Sequence, residues 1–120
     1  MKHFSIALAG ALLLGSASLS HAADLAAGKA VWDKLNCASC HGADAVKSVD
    51  PSYPILAGQY ADFLVHALKA YQRGASGAPA SANVRKNAIM GAFANQLSPQ
   101  DIKNVSAWLA ALPGPLSVRQ

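Results

Sequence analysis

Thiols are scarce in this chain, and other absences narrow its chemistry further. Of 120 residues only Cys37 and Cys40 are cysteines; a zinc cluster would need more thiols or a paired histidine, and no second ligand cluster is present. No run alternates polar and apolar residues at a period of two, and no segment repeats, which argues against a sheet. Basic runs and interleaved aromatics are missing, so the chain carries no nucleic-acid footprint. Nor does any apolar stretch reach the roughly 20 residues that a membrane-spanning helix needs, which argues against stable membrane insertion.

What is there begins with an export signal. Met1-Lys2-His3 makes a short positive start, Phe4 to Leu14 is an apolar run, and Ser20-His21-Ala22 offers small residues at both cleavage-determining positions. Cleavage is expected after Ala22, with Ala23 as the alternative, and no cysteine stands there to take a lipid. Removing those 22 of 120 residues leaves 98, one small domain over residues 23–120 with limited capacity to bury its own core. The positive mean hydropathy of +0.22 owes much to the removed segment. Loss of Lys2 leaves nine basic residues against six aspartates, a formal +3 and a weak bias toward acidic partners.

The most specific signal is Cys37-Ala38-Ser39-Cys40-His41. CxxCH is the attachment pattern for c-type haem: two thiols a short turn apart form thioethers to one porphyrin, and the adjacent imidazole becomes an axial ligand of its iron. A thioredoxin-like CxxC belongs in a βαβ pattern, and no strand-like run precedes Cys37. A structural disulfide would leave His41 unexplained. One covalent haem c per chain is therefore expected, held by Cys37, Cys40 and His41.

Helical signals surround the motif. Asp24 is the expected N-cap of a first helix whose Leu25, Gly28, Trp32 and Leu35 share a face and which runs up to Cys37. Residues 42–59, with Gly42, Pro51, Pro54 and Gly58, predict an ordered loop. A second helix is predicted over Tyr60–Arg73, with a stripe of Tyr60, Phe63, Leu64, Ala67, Leu68 and Tyr71 and with Gly74 as its stop. Gly74 to Ala82 contains only Gly, Ala, Ser and Pro and predicts a mobile surface loop. Ser98, Pro99 and Asp101 open a last helix close to a capping box, and Pro113-Gly114-Pro115 ends it. The fold class is all-α, with three main helices.

A six-coordinate iron needs a second axial ligand. Once the signal is removed Met90 is the only methionine, and a thioether opposite a histidine raises the reduction potential. The competing ligand is His66, whose place on the polar side of the second helix points it away from the buried stripe. A lone Met is otherwise a core gap-filler.

These residues together resemble the class I cytochrome c family over essentially the whole mature length. The resemblance is carried by Gly28-Lys29-Ala30-Val31-Trp32, Cys37 to His41, Tyr53-Pro54-Ile55-Leu56-Ala57-Gly58-Gln59, Asn87-Ala88-Ile89-Met90 and Leu97-Ser98-Pro99-Gln100-Asp101-Ile102. It implies three main helices and loops wrapped around one haem c, with His41 and Met90 on the iron. It also implies that Pro54 offers its carbonyl to the ring N–H of His41, that Gly28 lets the first and last helices cross beside Trp32, Val105 and Trp108, and that Asn87 donates a hydrogen bond near the thioether. Many relatives have proline where this chain has Ala88, which implies a looser methionine loop. Tyr53, Tyr60 and Tyr71 are all candidates to reach a haem propionate.

The reading that follows is a soluble, monomeric periplasmic cytochrome that passes single electrons between redox protein partners and transforms no substrate. The rival within that class is a dedicated haem subunit or electron acceptor of one dehydrogenase or oxidase. From another class comes a haem peroxidase or ligand sensor, which would require iron without Met90.

Overall fold

The computed structural model describes residues 22–117, so the export signal expected over residues 1–22 lies outside the described residues except for Ala22, as do residues 118–120. Five α-helices follow in order: α1 Leu25–Lys34, α2 Ala38–His41, α3 Ala61–Ala75, α4 Ala88–Ala94 and α5 Pro99–Ala111. Among the described residues there is no strand. The three long helices are accompanied by two short ones that were not anticipated as separate elements, α2 at the CxxCH motif and α4 at Met90.

The end of α1 decides how the CxxCH motif is presented. Asp24 caps its start, accepting the Ala27 N–H at 3.0 Å. The helix stops at Lys34 rather than at Cys37: Asn36 adopts φ +51°, its N–H returns to the Asp33 carbonyl, and the Cys37 N–H returns to Trp32. Those two backward bonds around a left-handed residue form a Schellman stop, with Asn in the place glycine usually takes. The chain leaves it already turned into α2, so Cys37, Cys40 and His41 sit on a separate turn of helix. Leu25 departs from the predicted buried face and is 48% exposed, whereas Gly28 and Trp32 are buried.

α1 packs most extensively against α5. A Cβ at Gly28 would sit 2.7 Å from Cβ of Trp108 and closer still to the carbonyl oxygen of Asn104, so only glycine permits this approach. Trp32 and Trp108 then meet with ring centroids 5.4 Å apart. Buried Asn104 completes the crossing, its Oδ1 accepting the Asp24 N–H at 3.0 Å and the Gln100 side-chain amide at 2.9 Å. The predicted capping box at Ser98 and Asp101 is present in full.

α3 runs past the predicted stop. Gly74 lies inside it, where a Cβ would drive into the Arg85 carbonyl oxygen; its role is close approach, and the turn comes at Gly77, φ +78°. The Gly/Ala/Ser/Pro segment is largely exposed and includes a single 3₁₀ turn at Ala80–Ala82. It is tied down beyond that turn, because the Arg73 guanidinium donates to the Asn83 carbonyl at 2.8 Å and the Arg85 N–H donates to Ala70. Gln72 reaches from α3 to the carbonyls of Ala94 and Leu97, fixing the exit of α4.

Residues 42–59 form the ordered loop that was expected. Ala45 is fully buried at φ +56°, and its carbonyl accepts the N–H groups of both Leu56 and Ala57, at 2.9 and 3.1 Å. Gly58 then donates to Leu109, fastening the loop to α5. The core of Trp32, Ala45, Ala57, Leu64, Val105 and Leu109 joins loop and helices.

Candidate functional site: an apolar cavity between α2 and α4

A cavity of about 390 Å³ lies inside this frame, walled by α2 and the 42–59 loop, by α3, and by α4. Its volume falls in the range of about 300–1,000 Å³ that small-molecule sites occupy. Cys37, Cys40, His41, Pro54 and Met90 all line it, although 48 residues lie between His41 and Met90 in the sequence. Apolar side chains such as Leu64, Leu68, Phe93, Leu97 and Leu109 supply much of the remaining wall.

His41 is buried, 6% exposed, and its Nδ1 lies 3.0 Å from the Pro54 carbonyl oxygen. A carbonyl only accepts, so Nδ1 is the donor of this bond, which leaves Nε2 as the ring nitrogen available to ligate a metal. The rings of Trp32 and Tyr53 flank His41, each with its centroid 6.2 Å away. The two thiols are free and half-buried. Burial pushes the Cys37 thiol up, against a lowering backbone hydrogen bond, and neighbouring Cys40 raises it further.

Met90 is in the first turn of α4, not in an extended loop. Asn87 is the N-cap of that helix, and its Oδ1 accepts the Met90 N–H at 2.9 Å. The Asn87 amide oxygen thus holds the backbone of Met90, a role separate from the one the resemblance implies for its amide donor. His66 is exposed on α3 and does not line the cavity. Of the three tyrosines, Tyr53 and Tyr71 reach the cavity wall, while Tyr60 is 64% exposed and lies off it.

Arg85 was not anticipated. It is the one Lys, Arg, Asp or Glu among the lining residues, and its guanidinium lies over the rings of both Phe63, 5.4 Å, and Tyr71, 5.6 Å. In the sequence it sits in a stretch with no motif of its own, and a lone cation there reads as a solvated surface charge.

An apolar cavity whose lining includes two thiols, an imidazole and a thioether suits a broad apolar macrocycle with a metal at its centre. The class that the fold and site define is the small all-α haem protein. The family model for cytochrome c matches residues 25–113, and the chain belongs to the cytochrome c family. That membership implies haem c and its iron.

Individual relatives agree. The chain is 37% identical over 94 residues to cytochrome c-554(548) of Halomonas halodenitrificans, covering 75% of this chain and 98% of that one. It is 32% identical over 120 residues to the thiosulfate dehydrogenase electron acceptor of Stutzerimonas stutzeri (strain A1501), covering 94% of this chain and 49% of the other. The crystal structure of reduced recombinant cytochrome c4 from Pseudomonas stutzeri superposes with a TM-score of 0.66 at 33% identity, over 78% of this chain and 47% of that chain. The chain thus spans about half the length of the second and third of these and nearly all of the first.

Proposed function

We propose that this cytochrome is a periplasmic one-electron carrier in which Cys37 and Cys40 hold the haem and His41 and Met90 are the axial ligands of its iron. The observation that carries the assignment is the convergence of two thiols, an imidazole with a free Nε2 and a single thioether on one apolar cavity. When bound, the haem supplies the redox centre, taking up and releasing one electron at a time.

The chain's own residues then do three things. The Pro54 carbonyl fixes the tautomer and ring plane of His41. Asn87 and α4 hold Met90 at the cavity wall. The apolar lining keeps water from most of the site, while Ile55, Phe63 and Ile89, which line the cavity and are 37–51% exposed, give a partner a small apolar surface over which to approach. Export through residues 1–22 belongs to the same reading, because it delivers the thiols to the periplasm, and no described helix is long and apolar enough to cross a membrane.

The decisive experiment is the absorption spectrum of purified protein in both oxidation states. Haem should stay with the polypeptide after acid extraction, and the ferric form should carry the far-red band of a thioether on iron. Met90→Ala should abolish that band while leaving the haem attached; an unchanged spectrum would remove Met90 as the ligand. Rapid cyanide binding by ferric wild-type protein would favour the peroxidase or sensor class instead.

A second reading, a dedicated electron acceptor of one dehydrogenase, is favoured by the similarity to the thiosulfate dehydrogenase electron acceptor over 94% of this chain. A partner that persists through purification would support it, and a protein that runs as a monomer would support the free carrier.

A further inference from the structure

We propose that Leu116 and Ser117, in the hook that follows α5, are positioning residues for His41: they clasp residues 54–58 and so keep the Pro54 carbonyl on Nδ1 of the imidazole. The proposal rests on the haem reading above. Pro54 belongs to a loop, so its bond to His41 is only as constant as the seat of that loop. One side of the seat is Ala45, whose carbonyl takes the N–H groups of Leu56 and Ala57. The other side is the hook.

Residues 113–117 turn back on themselves through three hydrogen bonds. The Ser117 N–H donates to the Gly114 carbonyl at 3.0 Å, the Gly114 N–H donates to Ser117 Oγ at 3.1 Å, and the Ser117 hydroxyl donates to the Leu112 carbonyl at 3.3 Å. The closed hook meets the loop at two glycines. A Cβ at Gly58 would sit 2.6 Å from the Ser117 nitrogen, and one at Gly114 would sit 2.6 Å from the Ala57 carbonyl oxygen, so neither place admits a side chain. Leu116, 37% exposed, lines a second groove with Val46, Tyr53, Pro54 and Ile55, and the last three of these border the apolar cavity as well. Pro54 therefore stands between the cavity and the hook. An apolar neighbour at that place keeps water from competing for the carbonyl and strengthens the bond it accepts. A strong bond from Nδ1 raises the basicity of the imidazole as a ligand, which favours ferric over ferrous iron.

The test uses holoprotein of wild type, Leu116→Ala, Leu116→Met, Ser117→Ala and Ser98→Ala. Ser98 caps the other end of α5 and bonds only within its own capping box, so its variant reports loss of stability alone. Two quantities are read: the solvent exchange of the His41 Nδ1 proton, by NMR of the reduced protein, and the ferrous-to-ferric ratio at fixed potential. In L116A and S117A the haem should remain attached with its far-red band intact, while the Nδ1 proton exchanges about tenfold faster through local opening of the loop. The ferrous-to-ferric ratio should rise about twofold, roughly 18 mV for a one-electron couple. L116M should restore both quantities, and S98A should leave both near wild type. Wild-type exchange in both L116A and S117A would overturn the proposal, as would equal changes in L116A and S98A. Absence of covalent haem from the wild type would instead overturn the reading on which it rests.

Discussion

The sharpest test of how α4 serves the site is Ala88→Pro. Ala88 is the first helical residue of α4, and Asn87 before it adopts φ −151° and ψ 121°. That extended conformation is the one a following proline imposes, and the first N–H of a helix has no intrahelical acceptor to lose. Proline at residue 88 therefore fits the native backbone without strain and acts mainly by restricting the competing, unfolded conformations of this segment. At compatible positions such a change is worth about 0.4–1 kcal/mol.

The gain should register at the iron, because Met90 is two residues further on in the same first turn, bonded through its N–H to Asn87. An external ligand such as imidazole binds ferric iron only after Met90 has withdrawn, so its apparent affinity is scaled by the population in which this turn has opened. Ala88→Pro should thus weaken imidazole binding about two- to fivefold, the factor that corresponds to the gain above. Asn87→Ala removes the cap, costs about 1 kcal/mol and should strengthen binding about fivefold. Imidazole titrations of the three ferric proteins, followed through loss of the far-red band, provide the comparison. The reasoning fails if the proline variant binds imidazole as tightly as wild type, or if it lacks the band before any ligand is added.

Gly28→Ala gains about 1 kcal/mol of helix propensity but forces a methyl into the Asn104 carbonyl, which is backbone and cannot swing aside; thermal unfolding should drop by about 10 °C, and an unchanged midpoint would mean that α1 and α5 are free to separate. Ser98→Ala removes half of the capping box at about 1 kcal/mol and so should lower the midpoint of thermal unfolding at neutral pH. The Ser98 hydroxyl, then its N–H, hold the Asp101 carboxyl below the usual range; a depressed carboxyl stabilises above its unfolded pKa and ceases to as pH falls through its folded one, so the gap between the two proteins should narrow in acid and not in base. The double variant Cys37→Ala, Cys40→Ala should keep much of its far-UV helix signal but lose the near-UV signal of Trp32 and Trp108 and any cooperative melt; a wild-type transition would refute the dependence of the fold on a covalently held core.

What the sequence made legible was local and chemical. Asp24 and Ser98 were readable as caps because a short polar side chain ahead of an apolar-periodic run has one economical use. Gly28 was readable through the resemblance, which also brought Pro54 to His41 across 13 residues. The failures share a cause: each concerns a residue whose task is set by a partner remote in the chain. Gly74 resembles a helix stop until the Arg85 carbonyl is seen above it. α4 is seven residues long, fewer than two full turns of side chains facing any one neighbour, so no periodicity announces it. Arg85 gains meaning only from Phe63 and Tyr71 on α3. The partial exposure of Phe63 in a stripe predicted to be core has the same origin, for that stripe faces the cavity rather than another helix.

The size of that cavity explains why so small a chain can be built this way. Its lining is largely apolar, so an apolar occupant removes from water a surface that a chain of this size cannot cover with its own side chains. Three long helices alone do not close such a gap: α3 and α5 meet beside it, and Leu64, Val105 and Leu109 serve both the cavity wall and the core. The apolar body that fills the space is therefore part of the core in the energetic sense. Anchoring it through Cys37 and Cys40, on a turn already set by the Schellman stop at Asn36, makes its binding intramolecular and removes the concentration dependence that a dissociable group would impose on folding.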